Sequence, residues 1–191
     1  IREVDEYNIF SEKGKVAFAT LKLKSSSYLP LKTYKELPTD SLSSLTSALA
    51  KMQTGEGAAI QILVSPSSSR WRSQGKNYIS KTRQEEAKPE GAKFTADAKQ
   101  LEAIENKVGK SGFNTVVRIV VSASSMEAAK AHLDNIRGAF EQFSSAYNGF
   151  SKARNWFKRS FMVDFIYRYI PMFGRTAVLN SEELATIFHF P

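Results

Sequence analysis

Apolar and polar residues alternate along this chain in two rhythms, and the switches between them mark its elements. From Lys15 to Lys24 the period is two. Ala17, Ala19, Leu21 and Leu23 face one side and Phe18, Thr20, Lys22 and Lys24 the other, as in a strand. Pro30 and Pro38 then bracket an extended crossing. From Thr39 the period lengthens: Leu42, Leu45, Leu49 and Met52 recur at helical spacing opposite Ser43, Ser47 and Lys51. Thr39 or Asp40 can accept from the first-turn amides, and Gly55 and Gly57 end the helix. Ile60, Ile62 and Val64 alternate with Ala59, Gln61 and Leu63 up to Pro66, giving a second strand.

The second half repeats these ingredients. Residues 113–122 read as an almost continuous apolar strand interrupted by Arg118. Ser124 with Glu127 is a capping-box pattern, opening a helix with the stripe Ala129, Leu133, Ile136, Phe140 and Phe143 and a stop at Asn148–Gly149. SFMVDFIYRYI, residues 160–170, reads as a final strand before Pro171 and Gly174. Asn180 with Glu183 caps a last short helix with Leu184, Ile187 and Phe188 on one side. Between the halves, residues 67–94 are polar and basic with little periodicity, and Gln84–Gly91 reads as mobile. Residues 95–110 return to helix, with Ala98, Leu101, Ile104 and Val108 aligned.

This order predicts a single domain over residues 1–191 of the α+β class. The expected arrangement is a ferredoxin-like split β-α-β antiparallel sheet with helices on one face and a helical insert between the halves. The insert is mobile over about 67–94, and a C-terminal helix spans 180–190. Another α+β sandwich with a different strand order is the alternative. Leu45, Ile62, Ile119 and Ile136 should meet between sheet and helices. The opening IREVDEYNIFSEKGK reads as an edge strand or the remnant of one.

Composition narrows the chemistry. A chain of 191 residues can bury a sizeable core, and with no cysteine it has neither disulfides nor thiolate chemistry. No apolar run approaches the roughly 18 residues needed to cross a bilayer. The chain begins with Ile and reads as a piece of a longer protein. A net charge of +8 favours polyanions or acidic membrane surfaces as neighbours.

Catalytic signatures do not emerge. Gly109–Lys110–Ser111 resembles the end of a phosphate loop, but Ile104 stands where that loop needs glycine, so a helix terminus explains the triplet. His132 and His189 lie in different helices without convergent donors. Glu85–Glu86 and Glu182–Glu183 are explained by solvation and capping. No catalytic, cofactor-binding or metal-binding residue is assigned, no cofactor is expected, and the chain reads as a non-enzyme.

Two clusters mix cations with aromatics: Arg70, Trp71, Arg72 and Lys76, and then Arg154, Trp156, Lys158 and Arg159 beside Phe157. Arginine on phosphate with an aromatic stacked on a base is how single strands are held. These residues are therefore the candidate nucleic-acid or partner contacts; the competing reading packs the tryptophans under loops and leaves the cations in water. RNA-recognition domains need an aromatic-rich third strand, which FNTVVRIVVS is not.

Three phrases resemble the N-terminal domain of type IV secretion and conjugative-transfer ATPases: GEGAAIQILVSP with Trp71, NTVVRIVVSASSMEAAKAHLDNIRGAFEQF with Asn148 and Phe150, and LNSEELATIFHFP. The resemblance implies a non-catalytic assembly or docking domain of a DNA- or protein-translocating ATPase, with the last phrase leading to a motor domain that follows Pro191. It further implies a cytoplasmic position at the inner face of the membrane, with any membrane segment outside this stretch. Implied partners are the motor domain, other secretion-system subunits, possible copies of itself and possible DNA. The alternative function is a stand-alone basic nucleic-acid-binding module.

Overall fold

The computed structural model describes residues 8–11, 13–87, 97–154, 157–171 and 176–189. The architecture is α+β. Five strands, β1 (Lys15–Leu23), β2 (Gly57–Pro66), β3 (Gly112–Ala123), β4 (Phe150–Lys152) and β5 (Ala177–Asn180), form one sheet in which every paired strand is antiparallel. The order is β2–β3–β1–β4, and β5 pairs with residues 112–115 of β3, before β1 begins its own pairing at Val117. Helices α1 (Ser43–Leu49) and α4 (Met126–Ala139) each connect strands separated by one neighbour, so the β1–α1–β2 and β3–α4–β4 units interleave.

Strand parity divides the interior in two, as period-two side chains must. Ala17, Ala19, Leu21, Val117, Ile119 and Val121 face α1 and α4, where they meet Leu45, Leu133, Ile136, Phe140 and Phe143. Ile60 and Ile62 pack against this cluster half-buried. The other parity carries Phe18 and Val120, which face α5 (Lys158–Ile166). The expectation of helices on one face therefore holds for α1 and α4, whereas α5 covers the opposite face. The strand expected over residues 160–170 is instead mostly helix, since α5 runs through residue 166. The edge beside β1 is already taken by β4, whose last bond is Ala153 N to Thr20 O at 2.8 Å, and the chain leaves the sheet there.

The insert between β2 and β3 is also more ordered than its composition suggests. Residues 70–86 form α2, a helix of 17 residues, rather than a mobile segment, and α2 packs on α3 (Ala98–Val108). Its buried stripe is only Trp71, Gly75 and Ile79, spaced four apart. A Cβ on Gly75 would run into Val108, so glycine permits the close approach of the two helices. The opening residues 1–7 and the 88–94 part of the expected mobile segment lie outside the described residues.

Capping differs from expectation by small shifts. Asp40 Oδ1 accepts from Leu42 N at 2.7 Å, one residue ahead of α1, whose own N-cap Leu42 makes no side-chain bond. Ser125, not Ser124, caps α4 by accepting from Ala128 N at 3.1 Å. The box opening α6 (Ser181–Ile187) is as expected: Asn180 Oδ1 accepts from Glu183 N at 2.8 Å and Glu183 Oε2 from Asn180 N at 2.9 Å. Ile187 is buried, while Phe188, the extended residue that ends the helix short of the expected residue 190, lies half in solvent.

Glu183 does more than cap. Its Oε1 accepts from Leu31 N at 2.7 Å, and its Oε2 lies 3.0 Å from Lys107 Nζ, with both side chains almost wholly enclosed. Lys107 also donates to Leu29 O at 3.1 Å, and Asn148 Nδ2 donates to the same oxygen at 3.0 Å. Burial pushes the Lys107 ammonium below its ordinary range, against the pull of Glu183. This knot ties α3, the 25–31 loop and α6 together through groups that would be costly to leave unpaired.

Candidate docking site

Three strands build the floor beneath α5. Cross-strand register places Phe18, Val120 and Ala59 in one row and Thr20, Arg118 and Gln61 in the next. The first row is apolar. Phe161 of α5 stacks on Phe18 with centroids 4.2 Å apart, and Phe165 and Met162 close the contact.

The second row holds the helix end. Arg118, only 2% exposed, donates from Nη1 to Gln61 Oε1 at 2.9 Å and to Asp164 O at 3.0 Å, and from Nη2 to Tyr169 O at 2.5 Å. Gln61 Nε2 donates to Phe165 O at 2.9 Å. The last carbonyls of a helix lack intrahelical donors and carry partial negative charge. A buried guanidinium aimed at them satisfies the carbonyls and its own need for acceptors together. The Arg118 that interrupts an otherwise apolar strand is thus the clamp for α5.

The same terminus contains an unusual backbone. Tyr169 N donates to Asp164 O at 3.0 Å and Arg168 N to Phe165 O at 3.3 Å, the paired bonds of a Schellman ending. The left-handed residue of that motif is usually glycine. Here it is Arg168, with φ 55°. A side chain in that region costs roughly 1–2 kcal/mol.

The outer surface of α5 is apolar as well. Phe157 is 75% exposed, Val163 46%, Ile166 61%, Tyr167 65% and Tyr169 55%. Arg159, Val163 and Ile166 follow one another at four- and three-residue spacing along one stripe, and the Tyr167 and Tyr169 rings stack at 5.7 Å. Lys158, Arg159 and Arg168 are exposed around them. Single exposed apolar side chains are ordinary, whereas these five fall within residues 157–169.

The sequence-derived candidates divide against this geometry. Lys158 and Arg159 belong to the surface, and Arg154 is exposed just before it. Trp156 lies outside the described residues. Trp71 is a correction: it is 5% exposed, and its ring covers Gly112 so closely that a Cβ there would collide with it, leaving no face for a base. Arg72 is spent on the turn that follows α3, donating from Nη2 to Lys110 O at 2.5 Å, while Arg70 and Lys76 are exposed on α2. Val163, Ile166, Tyr167 and Tyr169 are absent from the sequence-derived candidates because a strand would place Val163, Tyr167 and Tyr169 on one buried face.

Other polar groups do not converge. His132 Nε2 lies 3.0 Å from Glu56 Oε2, a carboxylate neighbour not anticipated from sequence, and His189 Nε2 lies 3.6 Å from Asp40 Oδ1. Each is a single pair. Among the described residues, no group of three His, Asp or Glu side chains is placed to hold a metal, and no helix is long and apolar enough to cross a membrane.

A family described as a domain of unknown function, DUF8128, matches residues 2–191. The chain belongs to this family. No curated protein matches it. The distinctive surface of this DUF8128 domain is the clamped helix α5, with Phe161 and Phe165 inside, Val163 and Ile166 outside, and Lys158, Arg159 and Arg168 exposed at its ends.

Proposed function

We propose that this DUF8128 domain is a non-catalytic docking module that joins a larger assembly through the outer face of α5. The observation that carries the reading is the exposure of Phe157, Val163, Ile166, Tyr167 and Tyr169 on and beside a helix whose inner face is already satisfied. Apolar surface of this kind gains free energy only when something covers it. The phrase-level resemblance to the N-terminal domains of type IV secretion ATPases supplies the setting: a translocating ATPase in the cytoplasm at the inner face of the membrane.

The stand-alone nucleic-acid reading draws on Lys158 and Arg159 beside the exposed Phe157 ring. The packing of Trp71 removes one of its two stacking platforms. A single copy with so few cations should bind single-stranded DNA only at the non-specific level of about 10⁻⁴–10⁻⁶ M.

The test places Ile166→Asp with Tyr167→Asp in the full-length protein. Loss of its co-purification with secretion-system subunits and of cargo transfer, at an unchanged melting temperature of the 191-residue chain, is the expected outcome. Intact assembly and transfer in that variant would refute the docking role. Submicromolar DNA binding by the wild-type chain at physiological salt would favour the nucleic-acid module instead.

A further inference from the structure

Building on the docking reading, we infer that the outer face of α5 seats on an anionic lipid bilayer surface. The chemistry of the patch selects among possible occupants. Its cations are Lys158, Arg159 and Arg168, all exposed, and the sole acid between residues 157 and 169, Asp164, is half-buried. A second copy of the chain meeting this face across a two-fold axis would set cation against cation. Nucleic acid would use the cations and could use a ring, but it gives no role to the aliphatic Val163 and Ile166 at the centre of the stripe. A bilayer surface uses every component. Aliphatic and Phe side chains enter the headgroup–acyl boundary, tyrosines place ring and hydroxyl on its two sides, and Lys and Arg meet anionic headgroups.

Arg168 fits the same picture. Glycine would relieve the left-handed backbone at that position, yet the chain keeps a long cation there, beside the stacked Tyr167–Tyr169 pair. The clamp from Arg118 to Asp164 O and Tyr169 O holds the strained terminus in place. The patch spans one helix of nine residues and its flanks, so a single copy binds weakly and reversibly, and several copies in one assembly bind with avidity.

The test is flotation of the 191-residue chain with vesicles of phosphatidylcholine alone or mixed with phosphatidylglycerol, at two salt concentrations. Salt-sensitive binding to the mixed vesicles alone is expected. Arg159→Gln and Arg168→Gly should each weaken it about fivefold, and Ile166→Ser about tenfold. All three sites are exposed, so circular dichroism and melting should show a folded chain. Equal binding to both vesicle types, binding indifferent to Ile166→Ser, or no vesicle binding would each overturn the inference. If vesicle binding is absent while self-association or capture of single-stranded DNA is lost in Ile166→Ser, the docking reading survives with another occupant. Absence of vesicle binding together with intact assembly of the Ile166→Asp, Tyr167→Asp protein ends both.

Discussion

Removing the Arg118 clamp should free α5 without unfolding the sheet. Arg118→Met keeps an apolar stem of similar length in β3 and deletes three donated hydrogen bonds. Asp164 O retains the Tyr169 amide, but Tyr169 O and Gln61 Oε1 lose the donors described for them. A buried acceptor left without a partner costs about 1–3 kcal/mol, so the two together cost about 2–6 kcal/mol while α5 stays seated. Lifting α5 into water removes that cost but gives up the burial of Phe161, worth about 1.5–3 kcal/mol, and part of that of Phe165 and Met162. The two alternatives are close in energy. Nine residues are also fewer than the roughly 12–15 at which an isolated helix becomes even marginal, so a detached α5 would melt. The variant should therefore lose about 3 kcal/mol of protection locally, raising amide exchange across residues 158–169 on the order of a hundredfold. Amides of β3 should keep the parent's protection. Hydrogen exchange followed by mass spectrometry reads both segments in one experiment. Unchanged exchange in α5, or equal acceleration in α5 and β3, would refute the clamp.

Three further outcomes are expected. Glu183→Gln leaves Lys107 buried without its counter-charge and should cost about 3–5 kcal/mol, lowering the melting temperature by roughly 6–20 °C; adding Lys107→Met should recover most of the loss, and simple additivity of the two would contradict a coupled pair. Arg168→Gly should raise the melting temperature slightly, by up to about 1 kcal/mol of stability after the entropic cost of glycine is set against the relieved backbone; a clear fall would mean the Arg168 side chain has a stabilising role in the fold. Glu182 is held below the usual carboxylate range by hydrogen bonds from Lys110 and then Lys35, and Glu141 by its bond from Lys24. Both folded values lie below the unfolded one, so their stabilisation is complete above the ordinary glutamate value of about 4.3 and disappears as pH falls through the folded values. Melts from pH 6 to 3 should show that loss, and Lys110→Met should make it shallower.

Much of the fold was legible because one buried face imposes one period. The parity of β1 and β2, the stripe of α4 and the box opening α6 all follow from residues whose neighbours share the same environment. The insert was harder to read, since α2 buries only Trp71, Gly75 and Ile79, and a glycine in that stripe looks like a break instead of a close contact. Lys107 was missed for a related reason. It sits three residues after Ile104 on the buried side of α3, where an apolar residue is expected, and its partner Glu183 had already been accounted for as a cap. Partners 76 residues apart leave no local trace. The site was half-visible: Lys158 and Arg159 could be read as surface cations, but the apolar residues among them became a patch only once their conformation was known.

That conformation is the point on which the functional reading turns. In SFMVDFIYRYI, the residues Phe161, Val163, Phe165, Tyr167 and Tyr169 stand at alternate positions, which as a strand would give one apolar face and bury it. Wound as a helix, the same residues spread around the axis. Phe161 and Phe165, four apart, turn onto Phe18 and Val120, while Val163, Ile166 and Tyr167 turn outward. The edge of β1 is closed to a further strand, because β4 occupies it, and on the opposite face the donors of Arg118 are taken by the carbonyls at the end of α5. The outward residues are consequently not a core in search of a sheet. They are held in water by a terminus that keeps arginine in a glycine conformation and by a guanidinium buried to secure it. The left-handed arginine costs roughly 1–2 kcal/mol and the Arg118 bonds offset it, so the fold holds these side chains in water without a partner, and a docked partner, as proposed, would add the burial of the face.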